Sequence, residues 1–254
     1  VSRCPYCKNG IAPVDNIPIF SWVRLKGRCR DCDRPIAARY PAVEFVAGLL
    51  CLVLATLELG FQGANLSVQP ASALPGFASN LFEPQLLSTL AWHALMGIYL
   101  LGLALIAEDD EAIPGRLFLV GWLAVGMVAI WQPTLLYAVR HAPYEPTSWT
   151  AVRDAGVAAL VGGLIGYVCG WDDEHRPPLK RRMAWNASGL FGLAGAALGW
   201  PLVVFCGVLV PLTSAWAQFS GSRLRSPLLL VGFIFFYLVA GYPLLFPYLA
   251  AMPF

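Results

Sequence analysis

Two Cys-x-x-Cys pairs, Cys4-Pro5-Tyr6-Cys7 and Cys29-Arg30-Asp31-Cys32, stand 21 residues apart at the start of an otherwise mostly apolar chain. Each pair brings two sulfurs out of one tight turn, and two such turns can close a tetrahedron of thiolates around zinc. Two disulfides or four unengaged thiols are the alternatives, and disulfides belong to oxidising compartments. Residues 1–40 hold Arg3, Lys8, Arg24, Lys26, Arg28, Arg30, Arg34 and Arg39 against Asp15, Asp31 and Asp33. Basic sequence beside a membrane span reports the cytoplasmic side, where thiols stay reduced. The pattern therefore predicts a cytoplasmic zinc-binding head over residues 1–40. No nucleic-acid partner is expected, because so small a basic head offers no reading helix.

The rest of the chain cannot remain in water. Hydrophobic residues make up 58% of the 254 and charged residues 13%, against roughly 25% charged in soluble domains. A hydrocarbon core needs about 20 apolar residues of helix, and the runs 41–59, 86–107, 117–139, 152–171 and 227–249 meet that length. The stretch 189–216 is too long for one span and is interrupted at Gly199-Trp200-Pro201, where proline removes a backbone donor. The prediction is an all-α polytopic membrane protein of about seven transmembrane segments, residues 41–254 forming the membrane domain. Loop charges agree, with 108–116, 172–182 and Arg223/Arg225 on the side of the head and 62–84 outside. No internal repeat stands out. Residues 1–40 also contain no apolar run that could serve as a signal peptide.

Acidic residues near a bilayer are costly, so they point to function. Two clusters end predicted helices, Glu108-Asp109-Asp110-Glu111 and Asp172-Asp173-Glu174. Two converging carboxylates can share a proton and activate water, whereas solvated helix ends need only face the water. Glu44 falls just inside the first apolar run, near the interface. His93, mid-run, reads as a hydrogen-bonded core histidine.

Four blocks then carry a resemblance: Ser2-Arg3-Cys4-Pro5-Tyr6-Cys7, Asn16-Ile17-Pro18-Ile19-Phe20-Ser21-Trp22, Gly27-Arg28-Cys29-Arg30-Asp31-Cys32 and Arg39-Tyr40-Pro41-Ala42-Val43-Glu44. Their order and spacing resemble the cytoplasmic domain of the bacterial prepilin leader peptidase/N-methyltransferase family, and the match continues more weakly to the end of the chain. The resemblance implies a multi-pass inner-membrane aspartyl protease of the GxGD type. Such a protein removes the leader from type IV pilins and type II secretion pseudopilins, then methylates the new N-terminus with S-adenosylmethionine. It also implies a substrate or methyl-transfer region around Asn16, Ser21, Trp22 and Glu44. It further implies a helix ahead of the cysteines.

The departures are as specific as the match. Aligned on Asp109 and Pro114, the family's first aspartate falls on Ala107. Aligned on the helix from Leu190 to Trp200, the second falls on Ala187 and the lysine after it on Gly189. Alanine has no proton to exchange, so proteolysis is expected to be impaired. The alternatives are substitution by Asp109 or Asp110 with Asp172 or Asp173, a pseudo-peptidase that binds or methylates pilins, and a non-catalytic assembly or scaffold factor.

Overall fold

The computed structural model describes residues 2–61, 63, 66, 84–109, 111–137, 147–169, 177–198, 202 and 209. Among these residues the regular structure is helical, with two isolated antiparallel bridges and no strand. The chain divides into two compact units, Val1–Leu52 and Val53–Phe254.

The first unit opens with two knuckles that repeat each other. Arg3 bridges to Gly10 and Arg28 to Pro35. Cys4 N–H donates to the Asn9 carbonyl at 3.0 Å and Cys29 N–H to that of Arg34 at 2.9 Å. The residue after each second cysteine turns left-handed, Lys8 at φ 62° and Asp33 at φ 57°. An Arg-Cys-x-x-Cys unit thus recurs at one spacing, so an internal repeat is present although none stood out in the sequence. Between the knuckles lie a 3₁₀ turn, Pro13–Asp15, and a short helix, α1 (Phe20–Arg24). Gly27, at φ +69°, lies against Trp22, whose ring carbon Cζ2 would be 2.8 Å from any added Cβ. Glycine is required there on both counts. The helix α2 (Arg39–Ala55) follows and runs on through a π-helical turn, Thr56–Gly60.

The second unit holds α3 (Pro84–Glu108), α4 (Gly115–Trp131), α5 (Pro133–Tyr137), α6 (Ser148–Cys169) and α7 (Pro177–Leu198). Among the described residues three helical stretches are long and apolar enough to cross a membrane: Arg39–Gly60, Pro84–Glu108 and Ser148–Val168. The expected span at 117–139 is not continuous. Pro133 has no N–H to extend α4, the helix stops at Trp131, and five residues of α5 restart it. The helix expected from residue 189 begins at Pro177, because proline suits a helix start and the Lys180-Arg181-Arg182 segment read as loop is made of good helix formers. The expected spans beyond residue 198 lie outside the described residues.

Small side chains seat α6 on α7. Ala151, Ala155, Ala158, Gly162 and Gly166 form one buried stripe along α6. A Cβ on Gly162 would stand 2.4 Å from the Phe191 carbonyl oxygen, and one on Gly166 2.3 Å from that of Ala187. Backbones approach this closely only where no side chain intervenes, as in small-xxx-small packing between membrane helices.

Candidate functional site

The knuckles bring Cys4, Cys7, Cys29 and Cys32 together, with all four Sγ atoms within 4.8 Å of one another. Cys4 and Cys32 lie 3.9 Å apart, sulfur to sulfur, and all four thiols are free of disulfides. A tetrahedral ion with metal–sulfur bonds of about 2.3 Å needs sulfurs about 3.8 Å apart. The donor set therefore fits a metal ion once the wider sulfur pairs close by up to about 1 Å. Crowding four thiols also perturbs their protons. The Cys7 and Tyr6 amides, pointing at the Cys4 sulfur, draw its pKa down to about 6. The Asn9 amide pulls Cys7 the same way, but burial and the neighbouring thiols outweigh it and leave Cys7 at about 11. A divalent cation reverses that balance by stabilising every thiolate at once.

Below the knuckles, the block at 16–22 is held by its own polar atoms. Asn16 closes the 3₁₀ turn through its amide, which donates to Pro13 O at 3.1 Å. Buried Ser21 donates its hydroxyl to Val14 O and accepts from Ile17 N–H, each at 3.0 Å. Trp22 Nε1 donates to Ile36 O at 3.0 Å. Ile19 adopts φ 60°, which for a β-branched residue costs about 1–3 kcal/mol. Glu44, reaching across from α2, accepts the Ile19 N–H at 2.8 Å and secures that turn. Asp15 accepts from both Arg24 and Arg30, and the Arg30 guanidinium, followed by Arg24, lowers its pKa below the ordinary carboxylate range.

In the membrane unit, Asn186 was missing from the sequence reading and is the best-connected polar side chain beside the Ala187 position. Buried on α7, it accepts the Ile113 N–H at 2.9 Å and donates Nδ2 to Glu111 O at 2.7 Å. These partners fix which end of the amide is oxygen. Trp185 Nε1 donates to Ile113 O at 3.3 Å, and its ring meets Phe118 edge-on at 6.0 Å. The α3–α4 loop is thereby clamped to α7. Ala107 is buried on α3, Ala187 is half-buried on α7, and Asp109 is exposed at the end of α3. Asp110, Asp172 and Asp173 lie outside the described residues.

A second missed residue is Glu58, in the π-helical turn. It is fully buried and meets His93 of α3, Oε1 to Nδ1 at 2.6 Å. His93 is thus the hydrogen-bonded core histidine its position indicated. A lone acid inside an apolar run is the signal that finds such a pair.

A family model of the bacterial peptidase A24 N-terminal domain matches residues 1–57. The prepilin leader peptidase/N-methyltransferase of Aeromonas salmonicida (strain A449) is 52% identical over 212 residues, which cover 82% of this chain and 58% of that protein. That of Stutzerimonas stutzeri is 32% identical over 235 residues, covering 86% of this chain and 75% of the relative. The type 4 prepilin-like proteins leader peptide-processing enzyme of Escherichia coli O78:H11 is 32% identical over 170 residues, covering 67% of this chain and 48% of the relative. The chain thus spans about half to three-fifths of the length of the first curated relatives it matches. No solved structure matches it. With the knuckled head matched as a domain and a relative covered over three-quarters of its length, the chain belongs to the prepilin leader peptidase/N-methyltransferase family.

Proposed function

We propose that this chain engages the apolar leader segments of type IV pilin or type II secretion pseudopilin precursors in the bacterial inner membrane and is impaired in cleaving them. The proposed topology has about seven spans and a cytoplasmic head. The observation that carries the reading is the pair of alanines, Ala107 and Ala187, at positions where the resemblance to membrane aspartyl proteases puts carboxylates. Neither methyl group can polarise or deprotonate water. Two packing features support it. The Phe118 ring fills the space beside Gly189, where an added Cβ would come within 2.2 Å of it, so a lysine at that position demands that the ring move. Asp109 is two residues past buried Ala107, about 200° further round a helix, and is an exposed residue rather than a replacement facing the same way. Substitution of the lost carboxylate at 107 by Asp109 is accordingly disfavoured.

Zinc is the ion proposed for the four thiolates, in a structural role, since four protein ligands leave no open position for chemistry. Methyl transfer from S-adenosylmethionine would rest on the region of Asn16, Ser21, Trp22 and Glu44, where Ser21, Trp22 and Glu44 are engaged with the chain's own backbone. The binding half of the proposal is tested with a prepilin leader peptide carrying a photo-crosslinker in its apolar segment. The peptide is added to the full chain in lipid nanodiscs. Crosslinks that an unlabelled leader competes away are expected, and crosslinking no stronger than to empty discs overturns the assignment.

A further inference from the structure

The head is built inside out. Among residues 2–38 only Cys4, Ser21 and Gly27 are buried. Its centre is the thiols, the Ser21 hydroxyl and the covered Asp15 carboxylate, flanked by half-buried Ile11, Ile19, Trp22, Leu25 and Ile36, while Val14, Ile17, Phe20 and Val23 are exposed by 45%, 45%, 58% and 63%. A metal-closed knuckle needs little apolar core to fold, and these four side chains leave about half of their surface outside the head's interior. Large apolar groups gathered on one short segment mark a surface meant for an apolar medium.

Their position along the membrane axis says which medium. The first span, Arg39–Gly60, has 22 residues, about 33 Å of helix against a hydrocarbon core of about 30 Å. Glu44 lies five residues after Arg39, about 7.5 Å along that helix. Its carboxylate is 2.8 Å from Ile19 N, which fixes the Ile17–Phe20 turn beside the second turn of the span rather than above it. The charge of the head complements an anionic surface. It carries eight basic side chains against three acidic ones, and a divalent ion on four thiolates subtracts only two. Arg24, paired with Asp15, keeps its partly exposed guanidinium 6.0 Å from the Phe20 ring centroid.

We infer that Val14, Ile17, Phe20 and Val23 form an interfacial wedge that inserts into the leaflet on the head's side, with the surrounding Arg and Lys side chains on anionic lipid headgroups. The wedge sets the height and tilt of the metal knuckles above the bilayer. Apolar burial combined with attraction to anionic lipid is the general basis of interfacial anchoring.

The test uses the full chain in proteoliposomes of phosphatidylcholine with 30% phosphatidylglycerol. A nitroxide is introduced on a non-native ketone amino acid at position 17, 20 or 23, with position 31 as the aqueous reference. Oxygen accessibility relative to a water-soluble nickel chelate should be several-fold higher at the first three positions than at 31. Equal accessibility at all four overturns the wedge. Shielding that arises only when a prepilin leader peptide is added makes the surface a peptide dock, and shielding that scales with protein-to-lipid ratio makes it a contact between copies. Either result also overturns it. Hydrogen exchange on the unlabelled chain guards against label-induced misfolding. Amides of residues 14–24 should exchange more slowly in nanodiscs with phosphatidylglycerol than in phosphatidylcholine alone, and identical exchange contradicts the inference.

Discussion

Replacing Asn186 by leucine tests whether its amide holds the α3–α4 loop to α7. Leucine keeps the approximate size and removes both hydrogen bonds. Ile113 is only 1% exposed, so its N–H, now 2.9 Å from Asn186 Oδ1, finds no water in exchange. An orphaned buried donor costs about 1–3 kcal/mol. Glu111 is exposed and its carbonyl can rehydrate, which limits that loss to about 0.5–1.5 kcal/mol. Leucine recovers part of the sum through apolar burial. A net of about 2–3 kcal/mol corresponds to roughly 30- to 150-fold in the opening equilibrium of the loop. Hydrogen exchange at Ile113 reads this directly, because its protection reports local opening. Asn186→Asp is the paired control, since its carboxyl still offers Ile113 an acceptor and should retain most of the protection. Wild-type exchange at Ile113 in Asn186→Leu, or equal loss in both variants, would refute the clamp.

Other expectations follow from the same geometry. Cys29→Ser should release the metal and lower the thermal stability of the head, checked by metal content and melting. Metal affinity should keep rising between pH 7 and 9, because the Cys7 thiol, at about 11 without the ion, must give up its proton to bind; a flat profile there would contradict the coupling. Gly166→Leu should prevent α6 from seating on α7 and abolish accumulation of folded protein, whereas Gly156→Ala, with nothing within 4 Å of its added carbon, should melt like the parent. Glu58→Leu strips His93 of its 2.6 Å partner and should cost about 1–2 kcal/mol in detergent unfolding. Glu58→Gln, which keeps a hydrogen-bonding group, should cost less, and the reverse order would argue against the pairing.

The elements legible in the sequence were those set by spacing and bulk hydropathy. Cysteine spacing predicted the four-thiol cluster, and the apolar runs at 41–59, 86–107 and 152–171 fall on the helical stretches 39–60, 84–108 and 148–168. What escaped depends on contacts between distant segments. Hydropathy continued through Leu135 and Leu136, so the stop at Pro133 was read through. Charge at Lys180–Arg182 suggested a loop, although helix propensity there is high and proline precedes it. The glycine pair at 162 and 166 carries the small-xxx-small signature, yet it acquires meaning only when the Ala187 and Phe191 carbonyls are seen against it. Asn186 and Glu58 belong to no recognisable motif, a weak signal until the partner 73 or 35 residues away is known. The strained Ile19 turn has no sequence signature beyond its preceding proline, because its stabilisation comes from Glu44 on another helix.

The central claim concerns the two alanines, and the mass of a substrate tests it most directly. The chain would be expressed with a prepilin in a strain deleted for its own peptidase, and the pilin weighed intact by mass spectrometry. The account predicts a prepilin that keeps its leader, while an active relative in the same strain removes it. Stoichiometric loss of the leader with Ala107 and Ala187 in place would contradict the account and direct attention to Asp109, Asp110, Asp172 and Asp173.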